Sequence, residues 1–190
     1  MTSFRRHCLI NVIALAVVFA GLLAFACSND KNATPTSSET PAISASKVVG
    51  GSCKTTAQMF DGTAPNDQDC LEFFYAPDNV LHIRRFNVTF NCCPDSFGVD
   101  IDLKDGVITI TESEFLTNPC DCLCLYDIEY SITGLDAGVY TIKVVEPYVN
   151  VPNGDALLQF QVDFRVTPAG EFCVYRLHYP WGMEFEKRGD

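Results

Sequence analysis

Between Leu71 and His178, apolar side chains return at every second residue, and no stretch of ten or more residues carries a helical period of 3.6. A chain patterned this way folds into strands, because successive strand side chains point to opposite faces of a sheet. Phe86, Val88, Phe90 and Cys92 alternate with Arg85, Asn87, Thr89 and Asn91, the pattern of a half-buried strand. Val99, Ile101 and Leu103 alternate with Asp100, Asp102 and Lys104, and Asp105-Gly106 then leads into Val107 to Thr111. Asp-Gly between two such runs predicts a hairpin, since a type I′ turn needs positive φ at both central residues. Leu158, Phe160, Val162, Phe164 and Val166 form another alternation, which Thr167-Pro168-Ala169-Gly170 turns towards Phe172 to His178. With Leu71 to Tyr75, Asp121 to Ile132 and Val139 to Glu146, about eight strands are expected. The fold class is therefore all-β, an antiparallel β-sandwich.

Composition fits such a core and narrows the setting. Apolar residues make up 47% and charged residues 19% of the 190-residue chain, which excludes general disorder. A net charge of -11 offers no basic stripe for phosphates and excludes a nucleic-acid partner. Ten cysteines point to a compartment outside the reducing cytosol.

The N-terminus agrees. Arg5 and Arg6 precede Val12 to Ala26, fifteen residues without a polar side chain, which is the layout of an export signal over residues 1–26. Asn11 cuts the run below the roughly 20 residues that a membrane-spanning helix needs, so a permanent span is the weaker alternative. The end of the run, Leu22-Leu23-Ala24-Phe25-Ala26-Cys27, fits ordinary signal cleavage and also resembles a bacterial lipobox, which implies acylation of Cys27. It departs from the lipobox pattern in that Leu23 stands four residues before the cysteine and bulky Phe25 two before it. Cleavage removes Cys8 and leaves nine cysteines, and acylation of Cys27 would leave an even eight. Ser28 to Ser46 holds five Ser, three Thr, two Pro and two Asn, so residues 27–46 are expected to be a lipidated cysteine and flexible tether, reaching on the order of 25 Å. The sandwich domain is expected over 47–190. Loss of Arg5 and Arg6 leaves 11 basic against 24 acidic residues, a net -13 that repels anionic lipid and leaves the acyl chains as the attachment.

Leu135-Asp136-Ala137-Gly138-Val139-Tyr140 resembles the tyrosine corner of immunoglobulin-like and fibronectin-like sandwiches, which implies a structural hydroxyl on Tyr140. Phe90-Asn91-Cys92-Cys93-Pro94 and Cys120-Asp121-Cys122-Leu123-Cys124 together resemble a group of exported bacterial lipoproteins of unassigned activity. That resemblance implies location and fold, with no reaction attached. If Cys120, Cys122 and Cys124 share a strand, their neighbouring Cα atoms lie about 6.6 Å apart, so each should bond to another segment. The economical arrangement pairs Cys92 and Cys93 with two of the three, gives the third to Cys173, and joins Cys53 to Cys70; eight cysteines allow 105 connectivities. A thiolate metal site competes with bridges, but Cys-x-Cys on a strand is not the Cys-x-x-Cys knuckle of zinc ribbons. No metal and no cofactor is therefore expected.

Nothing in the chain spells a catalytic constellation. His82 and His178, the two histidines beyond the signal, both fall in strand runs, and no nucleophile elbow, phosphate loop or His-Glu-x-x-His pair is present. Asp100 to Gly106 departs from a calcium loop at Lys104 and at its glycine, and fits a strand face entering a turn. The terminal Arg188-Gly189-Asp190 is a three-letter match at a chain end. The expected function is a non-catalytic binding or structural module of the cell envelope. It would be anchored to a membrane by lipid, to the outer membrane or cell surface in a two-membrane cell, and would take a protein or glycan ligand. Two other classes stay open: a thiol-based redox or metal-handling protein, and a secreted inhibitor or enzyme with its site on loops such as Phe115 to Pro119 or Tyr148 to Asp155.

Overall fold

The computed structural model describes residues 42–54, 64–176 and 178–182. Cys27, the signal and most of the tether segment lie outside them, as do 55–63 and the Arg-Gly-Asp terminus. The described chain is all-β, with ten strands: β1 (Ser44–Ala45), β2 (Val49–Gly50), β3 (Gln68–Tyr75), β4 (Leu81–Asn91), β5 (Ser96–Lys104), β6 (Val107–Phe115), β7 (Leu123–Thr133), β8 (Val139–Val145), β9 (Gln159–Asp163) and β10 (Ala169–Tyr175). The two beyond the expected eight are two-residue strands, β1 and β2, that pair in succession with β7, and pairing begins at Ser44. A single 3-10 turn, Val151–Asn153, interrupts the β8–β9 connection.

One sheet runs β1/β2–β7–β4–β3–β10 and is antiparallel throughout; the other runs β5–β6–β8–β9. The second sheet departs from a purely antiparallel sandwich, because β6 and β8 are parallel. The chain leaves β6 for β7 in the first sheet and returns to β8 in the same sense, so no hairpin joins the two. Asp105 and Gly106 have φ of 52° and 77°, the positive pair that the β5–β6 hairpin was expected to need.

The core lies between the sheets, where Leu71, Leu81, Ile83, Phe90, Ile108, Ile110, Ile128 and Ile132 are fully buried. Aromatic rings pack into it, with Tyr75 and Phe164 stacked at 4.8 Å and Phe90 against Phe97 at 4.8 Å. The Tyr140 hydroxyl donates to the Asp136 carbonyl at 2.9 Å, closing the corner before β8.

Two alternations break where the backbone does. In β4 the register shifts between Arg85 and Val88, where Asn87 takes φ 62°. One extra residue reverses the phase, so Arg85 joins Leu81, Ile83 and Val88 on the inner side, and Phe86 packs outside with Cys70. The expected single face of Phe86, Val88 and Phe90 is corrected accordingly. In β9 the amides of Val166 and Thr167 both donate to the Asp163 carbonyl, ending the strand and leaving Val166 exposed.

Candidate functional site

All eight cysteines in the described residues are bridged: Cys53–Cys124, Cys70–Cys173, Cys92–Cys122 and Cys93–Cys120. Cys70 and Cys173 face each other in the β3–β10 register with Cα atoms 4.1 Å apart, and this overturns the expected Cys53–Cys70 bridge. Cys53 instead follows β2 along β7, where Lys54 donates its amide to the Leu125 carbonyl, and that path delivers it to Cys124. Cys173 therefore takes none of the Cys-x-Cys-x-Cys thiols. Of those three only Cys124 lies within β7; Cys120 and Cys122 precede the strand. None of the three bonds another of the three, as their spacing along the chain requires: Cys120 and Cys122 bond the Cys92–Cys93 segment and Cys124 bonds Cys53.

Asn91 organises this corner. Its Oδ1 accepts the amides of Cys93 (3.0 Å) and Cys120 (2.9 Å), and its Nδ2 donates to the Cys120 carbonyl at 2.6 Å. One side chain thus satisfies both polar groups of the Cys120 peptide and draws the two loops together. The Asn91 amide donates to Glu114, and Glu114 also accepts the Tyr148 hydroxyl at 2.5 Å. That acceptor, with burial second, pushes the Tyr148 phenol up to about 12.

β7 carries Cys124 between two neighbours: the Cys53 segment on one side and β4 on the other. The ladder places Cys124 opposite Phe90, and two residues further on the Cys92 amide donates to the Cys122 carbonyl. Cys92 Sγ is consequently bonded to Cys122 and only 3.2 Å from Cys124 Sγ. The sulfurs of Cys53, Cys92 and Cys124 all lie within 4.8 Å of one another. As thiolates they would make a soft three-sulfur ligand set; in the structure every one is committed to a bridge. Beside them opens a cavity of about 510 Å³, walled by Cys53, Cys92, Cys93, Lys47, Phe97 and Tyr126.

Below the cysteine corner the interior holds a charge network. The Arg85 guanidinium donates to Asp69 (2.8 Å), Glu112 (2.8 Å), Glu146 (2.9 Å) and the Cys70 carbonyl (2.8 Å). Arg176 donates to Asp69 (2.9 Å), to Glu146 (2.7 Å) and to the Ala156 carbonyl. These five side chains are at most 2% exposed, and Tyr130 adds a hydroxyl to Glu112 at 3.0 Å. Two cations face three carboxylates. Burial raises the Glu146 carboxyl well above its ordinary range, and the charge of Asp69 beside it adds to the rise against Arg85. Burial likewise raises Glu112, with Arg85 opposing. The network joins the sheets, since Asp69 and Arg85 come from one and Glu112 from the other.

The outer face of the first sheet supplies a second candidate surface. Phe74, 49% exposed, stacks on His82 with centroids 6.1 Å apart, and Arg84 bridges Glu72 (3.2 Å) and Glu129 (2.8 Å). A cavity of about 560 Å³ lies over Glu72, Phe74, His82, Arg84, Gly170 and Glu171. His82 Nδ1 is 2.9 Å from Ser131 Oγ, and His178 Nδ1 is 3.0 Å from Asp155. Hydroxyl and carboxylate thus attend different histidines. Asp100 and Asp102 are exposed on β5, and Trp181 is packed, donating its indole N–H to the Asn87 carbonyl at 2.7 Å.

No protein-family model, no curated protein and no solved structure matches this chain. Among the described residues no helix is long and apolar enough to cross a membrane.

Proposed function

We propose that the chain is an exported, lipid-anchored protein of a bacterial cell envelope whose β-sandwich is a non-catalytic binding module. The supporting observation is a remainder: eight of the nine cysteines downstream of the signal pair with one another, so Cys27 alone is left over. Four bridges suit an oxidising compartment, and acylation of Cys27 uses the odd thiol. The Tyr140 corner supports grouping the sandwich with immunoglobulin-like and fibronectin-like domains. The surface offered to a protein or glycan ligand is the Phe74–His82–Arg84 face, where an exposed ring lies beside a fixed guanidinium and carboxylates.

Mass spectrometry of the membrane-extracted protein tests the anchor. The expected mature N-terminus is Cys27 carrying diacylglycerol; an unmodified Cys27, or a chain that retains residues 1–26, refutes it. Retention of the mature protein on isolated envelope material tests the binding face. Phe74→Ala should abolish that retention without shifting the unfolding midpoint, whereas unchanged retention would move the ligand site elsewhere.

A further inference from the structure

Three of the four bridges contribute a cysteine to the wall of one cavity, and two of those bridges touch. Cys53 and Cys92 are half-buried and Cys93 is exposed along the wall of the 510 Å³ space, whereas Cys124, 4% exposed, sits behind them in the hydrophobic core. Four sulfurs therefore form one chain, Cys53–Cys124 followed across 3.2 Å by Cys92–Cys122. A purely structural pair of bridges needs neither an open cavity at one end nor contact between the bridges. The Cys70–Cys173 bridge, on the opposite side of the first sheet, has no sulfur in that cavity.

We propose that this cavity captures a small-molecule thiol as a mixed disulfide on Cys53, with the released charge relayed to Cys122. The entering thiolate forms a bond to Cys53 Sγ; the Cys53–Cys124 bond breaks and its electron pair leaves on Cys124 Sγ. Cys124 Sγ then bonds Cys92 Sγ, the Cys92–Cys122 bond breaks, and its electron pair leaves on Cys122 Sγ, which takes a proton from water. Two disulfides and one thiol enter the sequence and two disulfides and one thiol leave it, so no outside oxidant or reductant is needed. The direction follows from burial: a thiolate in the core at Cys124 lacks solvation, while half-buried Cys122 in the loop before β7 reaches water. The cavity volume falls in the range of small-ligand sites, roughly 300 to 1,000 Å³. The capture adds an activity to the binding module and does not depend on the lipid anchor.

The mature full-length chain is incubated under native conditions with reduced glutathione, or with a single-cysteine peptide of about 20 residues at equal thiol concentration. The mixture is quenched with N-ethylmaleimide and mapped by mass spectrometry. The expected product carries glutathione on Cys53, maleimide on Cys122, a new Cys92–Cys124 bridge and an intact Cys70–Cys173. Glutathione on another cysteine, maleimide on Cys124, or opening of Cys70–Cys173 at the same rate overturns the proposal, as does reaction with the peptide alone. The double variant Cys92→Ser/Cys122→Ser keeps Cys53–Cys124 and removes the relay. In it the maleimide should shift to Cys124, and a label-free Cys124 alongside the Cys53 adduct would contradict the route.

Discussion

Arg85 shows how one side chain decides what the interior can be. It is fully buried and is bonded to three carboxylates from both sheets and to a backbone carbonyl. Taking charges out of water is so costly that such a group persists only when fully paired. Arg85→Ala leaves Glu112 without its guanidinium and unbalances Asp69 and Glu146, and removal of one partner from a buried pair costs about 3 to 5 kcal/mol. That is a large share of the 5 to 15 kcal/mol typical of a domain. Urea denaturation of Arg85→Ala should show the unfolding free energy falling by that amount, and a loss within experimental error of zero would mean that the carboxylates find other partners.

At the scale of elements, the bulge in β4 turns this arginine inward, and Asn87 forms the bulge. Its side chain donates to the carbonyls of Pro65 (2.8 Å) and Gln68 (2.7 Å) and accepts the Lys54 ammonium at 2.7 Å. Its φ of 62° is left-handed, which costs most residues roughly 1 to 2 kcal/mol and glycine little. Asn87→Gly and Asn87→Ala both lose the three bonds, so both should lower the unfolding free energy, with alanine worse by about 1 kcal/mol; equal losses would show that the backbone relaxes out of the bulge. The same bulge explains what the sequence could not disclose. Alternation predicted the sandwich, the Asp105-Gly106 hairpin and eight of the strands, because those are period-two and turn signals. The charge network was half legible: Glu112 follows Ile110 by two, Glu146 follows Val144, Arg176 follows Val174, and Asp69 precedes Leu71, all in phase with the buried face. Those phases were the missed signal. Arg85 was out of phase, and only the inserted residue brings it in. Cys92 and Cys93 do pair with two of the Cys120, Cys122 and Cys124 thiols, as expected, but the partners of Cys53 and Cys173 were missed for a related reason: Cys70 opposite Cys173 depends on β10 returning beside β3, a long-range pairing that no local pattern encodes.

Across the whole molecule, two networks clamp one sheet to the other or one loop to the next. The bridges work by restricting the unfolded chain, each contributing roughly 2 to 4 kcal/mol. The charge network works in the folded state and makes stability depend on pH. Glu146 and Glu112 have raised folded-state values, so the folded chain keeps protons that the unfolded chain releases above about 4.5. Their contribution is complete below the unfolded value and is lost as pH rises through the raised folded value. Glu146→Gln removes the surplus negative charge while keeping the shape, so its stability relative to wild type should improve as pH is raised above about 4.5 and through the raised folded value. Parallel urea profiles for the two proteins would place the surplus charge elsewhere.

The envelope placement, the odd cysteine and the thiol cavity all depend on which sulfurs are joined. Peptide mapping of the unreduced, maleimide-blocked mature protein measures this directly. The expected bridges are Cys53–Cys124, Cys70–Cys173, Cys92–Cys122 and Cys93–Cys120, with acyl mass on Cys27. A bridge to Cys27, or a maleimide label on any of the other eight, would contradict it.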